Sequence, residues 1–396
     1  MRVLTVSDIF YPRVCGLSTT IKTLMREVQA KGHAITLIAP DYSMSSPDNP
    51  ADDVIRISSW QLPFAHDSRM MKPGRVLELC ERLRGWNYDV VHVQTPFIAH
   101  SVGTALARRL HLPVVESYHT FYDEYFYHHA PVAPRPWLQL AARRLSKFQC
   151  NRVDMVLVPS TPMRDTLLSY GIRRTISVIP TGIDTHFFTF GDGARFRNAY
   201  DIAQDRPMLV HVGRLIREKN IDFLLDVLNE VRRQVPNVLL VISGVGPLEW
   251  DLRAQAERLE LLQNVLFIGN LDRARGLIDC YRAADAFVFA ARTETQGIAL
   301  LEALAAGLPV VATASRATRD ILEASGALIA NADVNDFAAD VVKLLRDAEL
   351  RSRLAESGRE QVQRWSASVA AEQTLDCYQE VIAAYAGPAR VRAAAR

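Results

Sequence analysis

Cysteine is sparse in this 396-residue sequence, and Cys15, Cys80, Cys150, Cys280 and Cys377 are scattered, with no CxxC pair and an odd total. That spacing argues against a disulfide framework or a zinc site and suits reduced thiols. Long apolar runs are also missing. None approaches the roughly 20 residues that cross a bilayer. The opening MRVLTVSDIFYP has one arginine, a short β-type run and no small-residue cleavage site, so it reads as a first strand instead of a secretory signal. Charge of one sign is lacking too: 46 Lys and Arg stand against 44 Asp and Glu, a net +2 that cannot wrap nucleic acid, and any basic function rests on a local patch. The expected location is cytoplasmic, with a peripheral place on the cytoplasmic membrane face left open.

What is present is material for two cores. Hydrophobic residues make up 49% and charged residues 23%, enough for two domains of about 180 residues each. The first half alternates Val- and Ile-rich runs at 3–6, 34–39, 54–57, 90–93, 114–117 and 155–158 with helical patterns at 18–30, 74–83 and 99–110. The second half repeats the scheme with strands at 208–212, 238–243, 265–268, 286–289 and 310–312, and helices starting near Asn220, Leu248, Arg273, Gly297 and Thr318. Alternation of this kind predicts an α/β protein with parallel sheets covered on both faces. The seam is expected at Pro180-Thr181-Gly182-Ile183-Asp184, where proline and glycine interrupt the pattern. Two doubly wound domains facing one cleft would bring ligands to the carboxyl ends of their strands. A last helix near 369–386 follows the final strand, and 389–396 reads as a frayed tail.

The segment richest in chemistry is 292–312. A strand ends, a loop carrying Gly297 follows, and a helix begins at once, whose free N–H groups suit a phosphate. Glu294 precedes that helix, and Glu302 lies about one and a half turns inside it, each able to accept two sugar hydroxyls. The ordinary reading is a helix-start acid and a solvated helix acid. Arg214 and Lys219 lie in a strand-to-helix loop with Gly213, cations suited to a diphosphate leaving group; the ordinary reading is a salt-bridged surface loop. Ser243-Gly244-Val245-Gly246-Pro247 ends the next strand with glycines that allow close backbone approach.

Together these segments resemble family 4 of the retaining glycosyltransferases, of the architecture called GT-B. The matching features are two glutamates with seven residues between them, the Gly-Arg…Lys loop, the Gly-x-Gly-Pro turn and Pro180-Thr-Gly-Ile-Asp184. The resemblance implies an N-terminal acceptor-side Rossmann-like domain over 1–183, a C-terminal nucleotide-sugar domain over 184–368, and a helix over 369–388 packing back toward the first. It implies that Arg214 and Lys219 hold the donor diphosphate, Glu294 contacts the donor sugar and Glu302 the ribose. Gln296, Gly297, Ile298 and Ala299 would give backbone contacts, the base would sit against the loop after the strand ending at Ile268-Gly269, and Gly244 would be a further donor-binding residue. No cofactor is implied, the nucleotide sugar being a substrate. No metal is implied either, and no DxD motif stands where it would hold one. The first loop resembles the family's glycine-rich acceptor loop, but Cys15 replaces one glycine, so only Gly16 is carried over. Ser315 to Asp320 departs from the Gly-Gly pair of many members.

His119, at the end of strand 114–117, corresponds to the family's cleft histidine. The run from Tyr118 to His129 resembles bacterial diacylglycerol glucosyltransferases and implies transfer of a hexose from a UDP-glucose-like donor to a lipid hydroxyl. GDP-mannose with a phosphatidylinositol, polyol or glycan acceptor is the alternative. A sugar-nucleotide epimerase, a phosphorylase or a non-catalytic sensor would be a different class. A lipid acceptor calls for a docking surface. Residues 135–152 carry Arg135, Arg143, Arg144, Lys147 and Arg152 with no acid, and Trp137, Ala141, Leu145 and Phe148 share one helix face, with Arg144 intruding. A helix packed on the sheet with a basic solvent side is the competing reading. The loop from Trp60 to Phe64 is a second apolar candidate.

Overall fold

The structure is a computed structural model, and it describes residues 1–13, 15–42, 53–62, 65–119, 135–273 and 275–385. In chain order the elements are β1 (Arg2–Val6), α1 (Gly16–Ala30), β2 (Ala34–Pro40), β3 (Val54–Ile57), β4 (Ser59–Leu62), β5 (Ala65–Met71), α2 (Pro73–Glu78), α3 (Cys80–Arg84), β6 (Val90–Val93), α4 (Ile98–Leu110), β7 (Val114–Ser117), α5 (Arg135–Cys150), β8 (Met155–Val158), α6 (Thr161–Ser169) and β9 (Thr175–Val178). They continue with α7 (Gly193–Ala199), β10 (Met208–Val212), α8 (Ile221–Gln234), β11 (Leu239–Ser243), α9 (Glu249–Arg258), β12 (Val265–Gly269), α10 (Gly276–Ala283), β13 (Ala286–Phe289), α11 (Ile298–Ala305), β14 (Val310–Thr313), α12 (Arg319–Ser325), β15 (Leu328–Ala330), α13 (Val334–Arg346), α14 (Ala348–Gln361) and α15 (Ala367–Ala384).

The chain divides into two compact units, one of Met1–Gly182 with Ala367–Arg396, the other of Ile183–Ser366. The first holds an all-parallel sheet ordered β3-β2-β1-β6-β7-β8-β9. Side chains alternate across it. Leu4, Val6, Val91 and Val93 face one core with α4, while Val3, Val90, Val115 and Leu157 face another with α1 and α15. The second unit holds a parallel sheet ordered β12-β11-β10-β13-β14-β15, again with a core on each face. In both sheets the strand order reverses beside the first strand, where doubly wound folds open a crevice at the carboxyl ends.

Several details differ from the sequence expectation. The helical pattern at 74–83 is two short helices, because Leu79 N–H bonds back to Val76 O in a tightened turn. The apolar segment at Trp60 is not a loop: Ser59–Leu62 pairs antiparallel with Ala65–Met71. Trp60 is half exposed there, with the Lys72 ammonium over its ring. The final helix begins at Ala367 and is tied to α1 by the Lys31–Glu372 ion pair.

Candidate active site

In the second unit, backbone bonds stitch three strand exits together. Gly213 N–H donates to Ser243 O at 3.0 Å, and Gly244 N–H to Gly269 O at 2.8 Å. A methyl at Gly244 would lie 1.8 Å from Gly213 O, and Gly244 also holds φ +144°, so only glycine lets the β10 and β11 loops touch. β13 then leads into the loop before α11. Gly297 is left-handed there (φ +88°), with Leu300 and Thr318 each 3.0 Å from where a methyl would stand. This turn starts α11 abruptly, and its first N–H groups have no partner within the helix.

Glu294 lies in that loop, nearly buried, and is ion-paired with Lys219. The Lys219 ammonium also stands 5.8 Å over the Phe289 ring. The two loops are joined again by Arg292 N–H, which donates to Glu218 O. The expected salt-bridged loop is therefore real for Lys219, but its partner is the acid placed by the other motif. Arg214 is exposed on the same loop.

Glu302 is not a solvated helix acid. It is 2% exposed, accepts from Tyr281 Oη at 3.0 Å and is ion-paired with Arg273. Burial, and then the Glu302 charge, hold the Tyr281 hydroxyl well above its usual pKa, so it remains a donor. Gln296 is buried, Ile298 and Ala299 are half-buried, and Ile268 lies in β12. Arg273 and Tyr281 escaped the sequence reading. Tyr281 sits among the apolar residues of α10, and Arg273 in an ordinary charged loop, so no local signal marks either. His211 was missed as well. Fully buried at the end of β10, it stands 3.1 Å from Val288 O through Nδ1, with Nε2 unpartnered among the described residues.

In the first unit β6 and β7 end side by side. Period-2 alternation puts His92 and Gln94, and Ser117 and His119, on the sheet face covered by α1 and α15. His92 Nε2 is 2.8 Å from Ser117 Oγ, and His92 Nδ1 is 2.5 Å from Tyr378 Oη of α15. Gln94 bridges the two histidines, its Nε2 3.1 Å from His92 Nδ1 and its Oε1 2.9 Å from His119 Nε2. Burial pushes His92 to a pKa of about 3, helped by the His119 charge, and His119 to about 4, so both rings are neutral near pH 7. These side chains line a pocket with Thr20 and Thr374. The two His-x-Gln and Ser-x-His steps at strand ends were a readable signal that the sequence analysis passed over.

Gly16 opens α1, where the Cys15 N–H donates to Ser18 Oγ. A methyl on Gly16 would meet nothing within 4 Å, so nothing in the chain's own packing requires glycine there. Asp8 is buried nearby in sequence, accepting from Ala99 N–H and Thr95 Oγ1 at the start of α4, and burial raises its pKa to about 6.

The basic segment forms α5, which packs inward through Ala142, Ser146, Gln149 and Cys150. Of the face expected to be apolar, Trp137 (71% exposed), Ala141 and Phe148 are turned outward, while Leu145 packs partly against the core; Leu140 is exposed beside Arg144 and Lys147. Arg143 caps the Tyr170 ring, and Arg152 the Phe148 ring. Residues 120–129 of the aromatic run, Pro63, Phe64 and the tail at 389–396 lie outside the described residues. No helix among the described residues is long and apolar enough to cross a membrane.

Residues 192–361 match the family model described as glycosyl transferases group 1, and residues 14–187 match that of glycosyltransferase family 4. An alpha-monoglucosyldiacylglycerol synthase of Streptococcus pneumoniae is 32% identical over 325 residues, 79% of this chain and 71% of that protein. A GDP-mannose-dependent alpha-(1-6)-phosphatidylinositol monomannoside mannosyltransferase of Mycobacterium tuberculosis is 29% identical over 379 residues, 91% and 93% of the two chains. Among solved structures, Anabaena HepE in complex with UDP and glucose matches with a TM-score of 0.74 at 17% identity, covering 96% of this chain and 100% of that one, a likeness of fold. The chain is a GT-B protein and belongs to glycosyltransferase family 4.

Proposed function

We propose that the chain is a retaining hexosyltransferase that moves a glucose-like sugar from a UDP-sugar to a hydroxyl of a lipid such as diacylglycerol. The observation that carries this reading is the Lys219–Glu294 pair at the glycine-turned start of α11. It sets a cation for a diphosphate, a carboxylate for sugar hydroxyls and helix N–H groups within one pair of loops. Arg214 adds a second cation. Glu302, oriented by Tyr281 and Arg273, is the acceptor for a ribose diol. Positive charge from these residues neutralises the leaving group, and no cofactor or metal is assigned.

The acceptor hydroxyl attacks the anomeric carbon on the face from which the diphosphate departs. The glycosidic bond forms as the C–O bond to phosphate breaks, and the hydroxyl proton passes to the departing phosphate oxygen. The protein orients and stabilises charge, and its residues need not form a covalent intermediate. Neutral His119 hydrogen-bonds the transferred sugar. Two things support the lipid acceptor: the pneumococcal relative is an alpha-monoglucosyldiacylglycerol synthase, and α5 turns tryptophan and phenylalanine outward beside cations as a peripheral membrane surface requires. The mycobacterial relative favours a second reading, GDP-mannose with a phosphatidylinositol-type acceptor.

The test is nucleoside diphosphate release from UDP- and GDP-sugars, with and without diacylglycerol in anionic vesicles. Release that needs UDP-glucose and the lipid together is expected. Turnover on GDP-mannose with phosphatidylinositol would move the assignment to the second reading. Donor binding without turnover on any acceptor would point to a sensor and refute both.

A further inference from the structure

The polar side chains behind His119 can order their protons in two self-consistent ways. In the first, Tyr378 Oη–H donates to His92 Nδ1, and His92 Nε2–H donates to Ser117 Oγ. The Gln94 amide N–H then leans on the same Nδ1, and Gln94 Oε1 accepts from His119 Nε2–H. His119 Nδ1 is left as a lone-pair acceptor. In the second, His92 carries its proton on Nδ1, the Gln94 amide is turned over, and His119 carries its proton on Nδ1. The two states present opposite faces of His119 chemistry, an acceptor or a donor.

Tyr378 separates them. Its side chain is 0% exposed, packed edge-on to the His92 ring, and its hydroxyl lies 2.5 Å from Nδ1. A protonated Nδ1 would take that acceptor away, leaving a buried hydroxyl hydrogen without a partner in this contact. Such a group is costly enough to bias the balance by roughly 10-fold or more. Both rings are neutral, so the variable is where each proton sits, not how many there are.

We infer that Tyr378, on the last helix, is a positioning residue for the transfer reaction: through His92 and Gln94 it holds His119 as the Nε2–H tautomer, with Nδ1 presented as an acceptor for a donor-sugar hydroxyl. The inference rests on the reading of His119 as a sugar-contacting residue. In this reading His92, Gln94 and Tyr378 act through His119.

The experiment uses the full chain with 15N-labelled histidine, the His119 ring signals being assigned by their loss in His119→Ala. The wild type is expected to show the Nε2–H pattern. Tyr378→Phe should shift His119 toward the Nδ1–H pattern and lower kcat by about 2- to 10-fold, with the donor KM unchanged. Ser117→Ala, which removes the acceptor of His92 Nε2–H, should push the tautomer the same way and carries the test alone if Tyr378→Phe does not fold. A folded variant with an unmoved His119 pattern overturns the inference, even if its melting temperature drops, since a purely structural tyrosine would behave so. Wild-type turnover in His119→Ala is a different result, which overturns the site reading beneath the inference.

Discussion

The Lys219–Glu294 pair offers a test in which structure and catalysis part company. The Lys219 side chain is 21% exposed and that of Glu294 11%, so both charges are largely withdrawn from water. Lys219→Met keeps the stem and removes the charge. It leaves a nearly buried carboxylate unpaired, at a cost of about 1–3 kcal/mol in stability. Turnover should fall roughly 10²–10³-fold, or about 3–4 kcal/mol of transition-state stabilisation, as when an oxyanion donor is removed. Glu294→Gln alone costs less stability, under about 1 kcal/mol, because the freed lysine can extend into water. In the double variant neither charge is orphaned, and a coupling of about 1–2 kcal/mol should return as stability. Turnover should stay at the level of the worse single variant. Thermal unfolding and nucleotide release at saturating donor read the two quantities. If turnover recovers along with stability in the double variant, the pair is only a loop clamp and the catalytic assignment fails.

Gly244→Ala, with its methyl 1.8 Å from Gly213 O, should destabilise the second unit by about 3 kcal/mol or more, whereas Gly269→Ala, in open space at φ +67°, should cost about 1 kcal/mol; equal melting temperatures would refute this. The folded-state pKa of Asp8 is raised from 3.8 to about 6, so the stability it contributes is full below about pH 4 and lost as pH rises through about 6. Relative to Asp8→Asn, the wild type should therefore lose roughly 2 kcal/mol between pH 4 and 7 in urea unfolding, and parallel curves would count against it. Trp137→Ser with Arg144→Glu should abolish sedimentation with anionic vesicles while leaving turnover on a water-soluble acceptor intact; persistent sedimentation removes α5 as the docking face.

The parallel sheets were legible because strands buried on both faces must be apolar at every position, and 155–158 and 286–289 satisfy that without ambiguity. β9, with the mixed sequence TISV, and the β4–β5 pair, whose polar residues break the run, gave no such signal. At the candidate site before α11 the loop residues could be named because their glycines serve a backbone geometry that reads locally. The partners of Glu302 could not. Arg273 and Tyr281 arrive from 29 and 21 residues upstream, brought there by the packing of α10. The orientation of α5 stayed open between two readings because its periodicity does not decide which face is buried: Ala142 and Ser146 are buried, Leu145 packs partly against the same core, and Trp137, Leu140 and Phe148 are exposed.

The inclusion of Ala367 onward in the first unit also bears on the order in which the protein is made. Ile183–Ser366 is contiguous, so it can close its core as soon as it leaves the ribosome, whereas the earlier-synthesised unit must wait for α15. Until α15 arrives, the face of Val3, Ile35 and Val115 lacks its Leu375, Tyr378 and Val381 cover, and a nascent chain stalled before that point exposes a sticky sheet. Late truncation should therefore yield an aggregation-prone product whose second unit is folded, a species that on the proposed function captures nucleotide sugar and never turns it over.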